Sequence, residues 1–335
     1  MRHNNVLPAV ILVMAPAAAL LLIILSILYG SKNITALTVW QAVAHFDPDN
    51  VDHQIIRHAR LPRAVGALVI GAALAVSGAL MQGMTRNYLA SPSIMGVSDG
   101  SVLLVTFAMI FLPYSGSTGL IIVSVIGSAL GAGLVFGLAW LIPGGLSPVK
   151  LAILGTIVGT FLSGVSAAAA SYFQYSQSVS FWYNARLHQI DPELLKIVIP
   201  FVAAGLLLAL CLAKSVTVLS LGEDIASGLG QRTALTRGLV ILAVVVLTGA
   251  AVALAGKIAF IGLIVPHLAR FLVGVDYRRI IPLSAAMGAL FLGLCDLISR
   301  FLNAPFETPI GVVTALFGVP FFLYLIKTRG GGKHA

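Results

Sequence analysis

Charge is scarce in this chain. Of its 335 residues, 9% are Asp, Glu, Lys or Arg and only 11 are acidic, against 59% that are hydrophobic. So little polar content excludes a soluble domain wrapped around one core. Cysteine is scarcer still. Cys211 and Cys295 each sit inside an apolar run without metal-type spacing, and both read as packing residues. No patch interleaves aromatic and basic residues, which sets aside nucleic-acid binding despite a formal charge of +9. A phosphate-cradling loop is missing as well. The pattern G-x-x-x-x-G-K-[ST] is approached only at Gly256-Lys257-Ile258, which lacks the earlier glycine and the hydroxyl.

What the chain does have is long apolar runs. They lie at Val6–Tyr29, Leu61–Met84, Ile94–Leu112, Thr118–Ile142, Lys150–Tyr172, Leu194–Leu212, Ala234–Leu254, Ile258–Val273, Ile281–Leu302 and Thr308–Ile326. Runs of about twenty apolar residues match a bilayer core, and continuous rather than alternating hydrophobicity makes them helices. The expectation is an all-α, polytopic membrane protein with about ten transmembrane helices, forming a single domain over residues 1–335. The first run outlasts a signal-peptide core and continues past Ala17-Ala18-Ala19, so it reads as a retained span. A polar segment, Gly30 to Arg60, follows it and carries Asp47, Asp49 and Asp52. An even number of spans puts both termini on one side, and the distribution of loop Lys and Arg makes that side cytoplasmic. Arg57, Arg60, Arg63 and Arg300 then fall outside and break the rule, so they call for a separate reason.

Midway, a polar stretch from Ser215 to Arg237 interrupts the apolar pattern. Ser220 can cap a helix whose first turn holds Glu223 and Asp224 and whose end is marked by Gly228 and Gly230. A structured loop of this length reads as a docking surface or as a solvated connection. Elsewhere, Gly71-Ala72-Ala73-Leu74-Ala75-Val76-Ser77-Gly78 echoes Gly249-Ala250-Ala251-Val252-Ala253-Leu254-Ala255-Gly256 five spans later. Five spans reverse the direction of crossing, so the echo predicts an inverted internal repeat, approximately 61–173 and 234–326. The pairs Gly127/Gly131, Gly133/Gly137 and Gly155/Gly159 predict close helix packing.

Several stretches together resemble a known family. Arg60-Leu61-Pro62-Arg63, Ser77-Gly78 with Gln82, Arg86-Asn87-Tyr88-Leu89-Ala90-Ser91-Pro92 and Gly96-Val97-Ser98-Asp99-Gly100 are similar to motifs of the FecCD family, the permeases of ABC importers for iron-siderophores, haem and vitamin B12. So are Phe260-Ile261-Gly262-Leu263-Ile264-Val265-Pro266-His267 with Arg270, and Glu307-Thr308-Pro309-Ile310-Gly311-Val312-Val313-Thr314. The likeness covers nearly the whole chain. Within the family it points to the Feu-type branch, which carries ferric catecholate siderophores of the bacillibactin and enterobactin kind.

The resemblance implies a type II ABC importer permease fold and a set of partners: a second permease subunit, paralogous or identical, separate ATPase subunits that bind ATP and Mg, and an extracytoplasmic siderophore-binding protein. The chain itself would hold no cofactor and no metal, and would sit in the bacterial cytoplasmic membrane among lipid. Arg60, Arg63 and Arg300 match positions that receive acidic residues of the binding protein, with Asp296 one turn before Arg300 to orient it. The coupling loop, 215–237, would present Leu221, Gly222, Glu223, Asp224, Ile225, Ala226, Gly228, Leu229 and Gly230 to the ATPase. Ser147, Pro148 and Val149 match the cytoplasmic gate, where Pro148 and Val149 replace small hydroxyl residues and imply a steric or apolar closure. The fifth and tenth spans would line a weakly polar pathway carrying Ser163, Ser166 and Ser171. Asp99 reads as a cap or a proton relay, His267 as a satisfied histidine or a metal ligand, and Phe181-Trp182-Tyr183 with Arg186 and His188 as an interfacial anchor or a cargo contact. The competing classes are an ion-coupled secondary transporter, which needs paired ionisable groups within the membrane, and an intramembrane protease built on Ser77 and His267. Vitamin B12, haem and hydroxamate siderophores are the alternative cargoes.

Overall fold

The computed structural model describes residues 6–30, 34–93, 95–112, 116–143, 147–183, 187, 190–303 and 306–330. Regular structure among these residues is helical throughout. The chain opens with α1 (Val6–Leu28) and two short helices, α2 (Ala36–Ala44) and α3 (Val51–Ile55), inside the stretch that reads as polar in sequence. Thr35 starts α2 by accepting from the Thr38 amide, and Asn50 starts α3 by accepting from Asp52. One π turn, Ile56–Arg60, leads α3 into α4 (Leu61–Thr85). There follow α5 (Val97–Phe111), α6 (Ser117–Leu141), α7 (Pro148–Tyr172), α8 (Ser176–Tyr183), α9 (Pro192–Leu221), α10 (Glu223–Gly228), α11 (Thr233–Ala255), α12 (Ile261–Val273), α13 (Tyr277–Ser299) and α14 (Ile310–Gly330). Among the described residues, seven helices are long and apolar enough to cross a membrane, and the shorter apolar helices α5, α12 and Ile310–Tyr324 of α14 accompany them.

Helix α4 is the hub, packed on α13, α11, α9 and α12 with most of its residues buried. Lipid offers no hydrophobic drive between helices, so association rests on close van der Waals fit, and glycine permits the closest fit. A Cβ added at Gly78 would run into the Gly262 backbone on α12, and one at Gly71 into the Gly288 carbonyl on α13. Gly100 and Gly127 bring α5 and α6 together in the same way.

The two stretches related by the sequence echo share an order of elements: a long helix, a non-helical link, a short helix, then two long helices. Gly71 of α4 presses on α13, and its counterpart Gly249 of α11 presses on α6 at Val125. At 1.5 Å per residue α5 and α12 are only about 20 Å long, short of the roughly 30 Å apolar core. The links 86–96 and 256–260 precede them, and Ala90, Ser91, Pro92, Met95, Gly96, Gly256 and Ile258 are buried in protein, the setting that non-helical backbone requires at membrane depth.

Several expectations change. The sixth span does not end at Leu212, because α9 continues to Leu221. Gly133 and Gly137 do not pack, since an added Cβ at either meets nothing within 4 Å. Cys295 is buried, but Cys211 is exposed. Gly78→Val should lower stability in detergent by about 3 kcal/mol, the upper range for an overpacked contact, while Gly133→Val should leave it within about 0.5 kcal/mol. Thermal unfolding of the purified protein checks this; equal midpoints for the two variants would contradict the packing described.

Candidate functional site

Three polar constructions stand out in this apolar bundle. The first gathers the out-of-rule arginines. A helix leaves its last carbonyls without partners and carries partial negative charge there. At the end of α1, Arg60 Nη1 donates to the Ile27 carbonyl at 2.6 Å, and Arg300 Nη1 donates to those of Ser26 and Tyr29 at 2.6 and 3.1 Å. Arg300 Nη2 reaches the Ser26 hydroxyl at 2.6 Å and Asp296 at 2.5 Å. Arg63 completes the network through Nε to Asp296 at 2.8 Å and Nη1 to both Glu307 oxygens at 2.7 and 2.8 Å. Arg60, Arg63 and Arg300 are 8%, 7% and 7% exposed, so guanidiniums expected at a docking rim are set into the bundle. The Asp296–Arg300 spacing acts as the sequence implies. Glu307 and Ser26 escaped notice as partners, although Glu307 lies in a motif. Arg57 lies over the Phe46 ring, 4.4 Å from its centroid.

The second construction is the hairpin of α9, α10 and α11. Ser220 does not cap α10; its hydroxyl bonds the Thr217 carbonyl at 2.7 Å inside the extended α9. The break falls at Gly222, whose φ of 136° and ψ of 152° belong to a region essentially reserved for glycine. Arg237 grips Glu223 through two hydrogen bonds of 2.9 and 2.7 Å, and Gln231 Nε2 closes the loop on the Ser215 carbonyl at 3.0 Å. Ala226 is buried against the hairpin, while Leu221, Ile225 and Leu229, four residues apart, are 53%, 50% and 69% exposed. Asp224, Gly228 and Gly230 are exposed beside them, and Gly222 is buried. A braced turn thus displays three apolar side chains.

Nearby, residues from separate motifs converge. Arg270 Nη2 donates to Gln82 and to the Tyr277 hydroxyl, both at 3.1 Å, and its guanidinium lies 4.1 Å from the Tyr88 ring centroid. His267, within α12, meets the rings of Tyr88, Phe271 and Phe321 edge-on. The Ser77 hydroxyl donates to the Leu74 carbonyl. In the turn before α13, Asp276 caps the helix and accepts from Arg278 Nε at 3.1 Å, which with the nearby charge holds its carboxyl below the usual range.

The third construction is interior. Asp99, 3% exposed in the first turn of α5, accepts from Lys257 Nζ at 2.6 Å and from the Ser163 hydroxyl of α7 at 2.8 Å. Gly96 occupies the cap position, so Asp99 is an ion-pair member rather than a cap. Ser166 and Thr106 share a 2.7 Å hydrogen bond. Ser163 and Ser166 also line a cavity of about 330 Å³ with Val102, Ala167, Ala170, Ser176, Val179 and Ser180, between α5, α7 and α8. Ser171 lies beyond it, exposed at the end of α7. Ser147 takes the cap position of α7 without a side-chain bond, Pro148 the first helical position, and Val149 is 69% exposed. Side chains of Phe181, Trp182 and Tyr183, together with Arg186 and His188, fall outside what is described. Lys257 had no signal as Asp99's partner, being 158 residues away.

A multi-pass helical membrane protein with a serine-lined cavity and a stiff, apolar-tipped hairpin belongs among transport permeases. The chain is a member of the FecCD transport family, which it matches over residues 18–328. It is 60% identical over 325 residues, 97% of either chain, to the iron-uptake system permease protein FeuB of Bacillus subtilis. It is 51% identical over 308 residues, 92% of this chain and 80% of the relative, to the iron(3+)-hydroxamate import system permease protein FhuB of the same organism. Among solved structures, a metal-chelate type ABC transporter in an inward-facing conformation superposes with a TM-score of 0.79 at 30% identity, covering 96% of this chain and 99% of that one.

Asp296→Ala, which removes the carboxylate that two buried guanidiniums share, should cost about 3–5 kcal/mol. Chemical unfolding in detergent reads this directly, and a loss below 1 kcal/mol would show the network to be dispensable. Asp276→Ala should cost about 1 kcal/mol as a lost cap. Because the folded-state carboxyl is held low, this contribution is complete above the ordinary aspartate range and fades as pH falls through the folded value. Wild type and variant should therefore converge at acid pH; a constant gap would contradict the assignment.

Proposed function

We propose that this chain is a transmembrane permease subunit of an ABC importer that moves a ferric siderophore into the cytoplasm. The exposed stripe Leu221, Ile225 and Leu229 on the braced hairpin is the observation that carries the reading. A separate motor must push on something stiff, and the Glu223–Arg237 pair and the Gln231 bond make this hairpin stiff. The ATPase subunits would bind ATP and Mg and dock there. A second permease subunit, a paralogue or a second copy, would face α7 and α14 across the pathway, with Ser163, Ser166 and Ser171 on its wall and Ser147, Pro148 and Val149 at its inner gate. The repeats 61–173 and 234–326 would cross the bilayer in opposite directions, with both termini cytoplasmic in a bacterial cell membrane. An extracytoplasmic binding protein would approach the face of Arg60, Arg63 and Arg300. Its carboxylates would meet guanidiniums that already hold internal partners, with the part-exposed Glu307 among them.

The Feu-type resemblance and the likeness to the iron-uptake permease favour a catecholate cargo; the likeness to the hydroxamate permease keeps that class, with haem and vitamin B12, as alternatives. One observation favours an ion-coupled carrier instead. The Asp99–Lys257 pair places ionisable groups inside the bundle, where the sequence led us to expect charges only at helix ends. It ranks second because each charge neutralises the other. Uptake of labelled ferric catecholate, hydroxamate, haem and vitamin B12 by cells lacking the protein tests the proposal. Catecholate uptake should be lost and then restored by the intact chain but not by the variant Ile225→Asp/Leu229→Asp. Loss of a different cargo would correct the substrate, and unchanged uptake of all four would overturn the function.

A further inference from the structure

Helices α7 and α14 are held more lightly than their neighbours. α7 packs chiefly on α5 and α6, α14 on α12 and α13, and each leaves an apolar face uncovered: Ile153, Ile157 and Phe161 on α7, Leu316 and Leu323 on α14. The short link between α11 and α12 touches α14 directly and reaches α7 through Asp99 of α5. From Lys257 the ammonium reaches Asp99 at 2.6 Å, and Asp99 holds the Ser163 hydroxyl of α7 at 2.8 Å. Three residues on, the Phe260 ring lies against the bare backbone of Gly318 on α14, so close that a Cβ at Gly318 would overlap it. Both ends of the link adopt left-handed backbone, Gly256 at φ 71° and Phe260 at φ 70°. For a bulky side chain that conformation is unfavourable and persists only where its surroundings enforce it.

From this geometry we infer that the 256–260 link is a mechanical coupler between α7 and α14, with Lys257, Asp99 and Phe260 as positioning residues. An ion pair sheltered from water resists separation because a stranded partner would keep its desolvation penalty. A ring seated on glycine backbone cannot slide without losing its contacts. A displacement of α14 therefore pushes Phe260, the link carries it to Lys257, and the Asp99–Ser163 bond delivers it to α7. The inference rests on the reading that α7 and α14 line the pathway; the link would keep the two walls in step.

The complete transporter in nanodiscs, with Cys211 and Cys295 replaced by serine, allows a direct test. Nitroxide labels at Ile157 on α7 and Leu323 on α14 are each paired with a reference at Leu294 on α13. Distances are recorded nucleotide-free and trapped with ATP and vanadate, beside the ratio of cargo moved to ATP hydrolysed. In the parent protein both distances should shift. In Lys257→Met or Asp99→Asn the α7 shift should be lost while the α14 shift remains, with transport per ATP down at least tenfold. Gly318→Ala should do likewise, and adding Phe260→Leu should restore it, which a mere folding defect would not permit. If either neutralised variant leaves both helices moving together at a normal transport ratio, the coupler is wrong. Absence of any shift in the parent protein would instead remove the pathway reading and the inference with it.

Discussion

Every backbone amide and carbonyl inside a bilayer must find its partner within the protein, and this structure follows from that constraint. Helices meet the requirement locally, which is why the long apolar runs are helical. Where helix is interrupted, Ala90, Ser91, Pro92, Met95, Gly96, Gly256 and Ile258 are buried among other elements. Where a helix ends within the bundle, as α1 does at Ser26 to Tyr29, the carbonyls need donors, and Arg60 and Arg300 supply them. Charge is thus spent where backbone leaves it indispensable. The same constraint explains the central position of α4, whose small residues let four neighbouring helices approach and shelter one another.

Within this frame the polar constructions divide their tasks by location. The Arg63–Asp296–Arg300 network ties α1, α4, α13 and the approach to α14 into one end of the bundle. The hairpin at Gly222 is braced by ion pair and amide and exposes Leu221, Ile225 and Leu229 at its tip. Between them, Asp99 and Lys257 join the two halves of the chain where the serine-lined cavity opens. In the function proposed above, the two braced ends would meet partners while the lightly held α7 and α14 between them move.

Much of this could be read before any coordinates. Span positions followed from hydropathy because burial in lipid asks for little else, and Gly71 and Gly249, paired by the glycine echo, each sit at a close contact, with α13 and α6 respectively. The arginines were legible as exceptions, since the topology expected from the sequence leaves four cations breaking a strong rule, but the capping of α1 by Arg60 and Arg300 was not, because it depends on which helix ends nearby. The last nine residues of α9 hid among Lys214, Ser215, Thr217 and Ser220, although buried Ala213, Val216 and Leu219 continue the helical period. Gly133 and Gly137 show the converse, a spacing that permits packing where no neighbour arrives. The pairing of Asp99 with Lys257 lay beyond sequence reasoning: no periodicity links two residues 158 apart, and only the folded bundle brings them together.

In the function proposed above, a motor docked on the hairpin moves α7 and α14, and ions passing Asp99 and Lys257 do not. Accumulation of a ferric siderophore in proteoliposomes holding the assembled transporter, with its binding protein outside on the cargo-accepting face, tests it most directly. Driven by a docked motor, accumulation should require ATP on the hairpin side and be indifferent to proton or sodium gradients. Accumulation driven by an ion gradient without ATP, and abolished by Asp99→Asn, would contradict it.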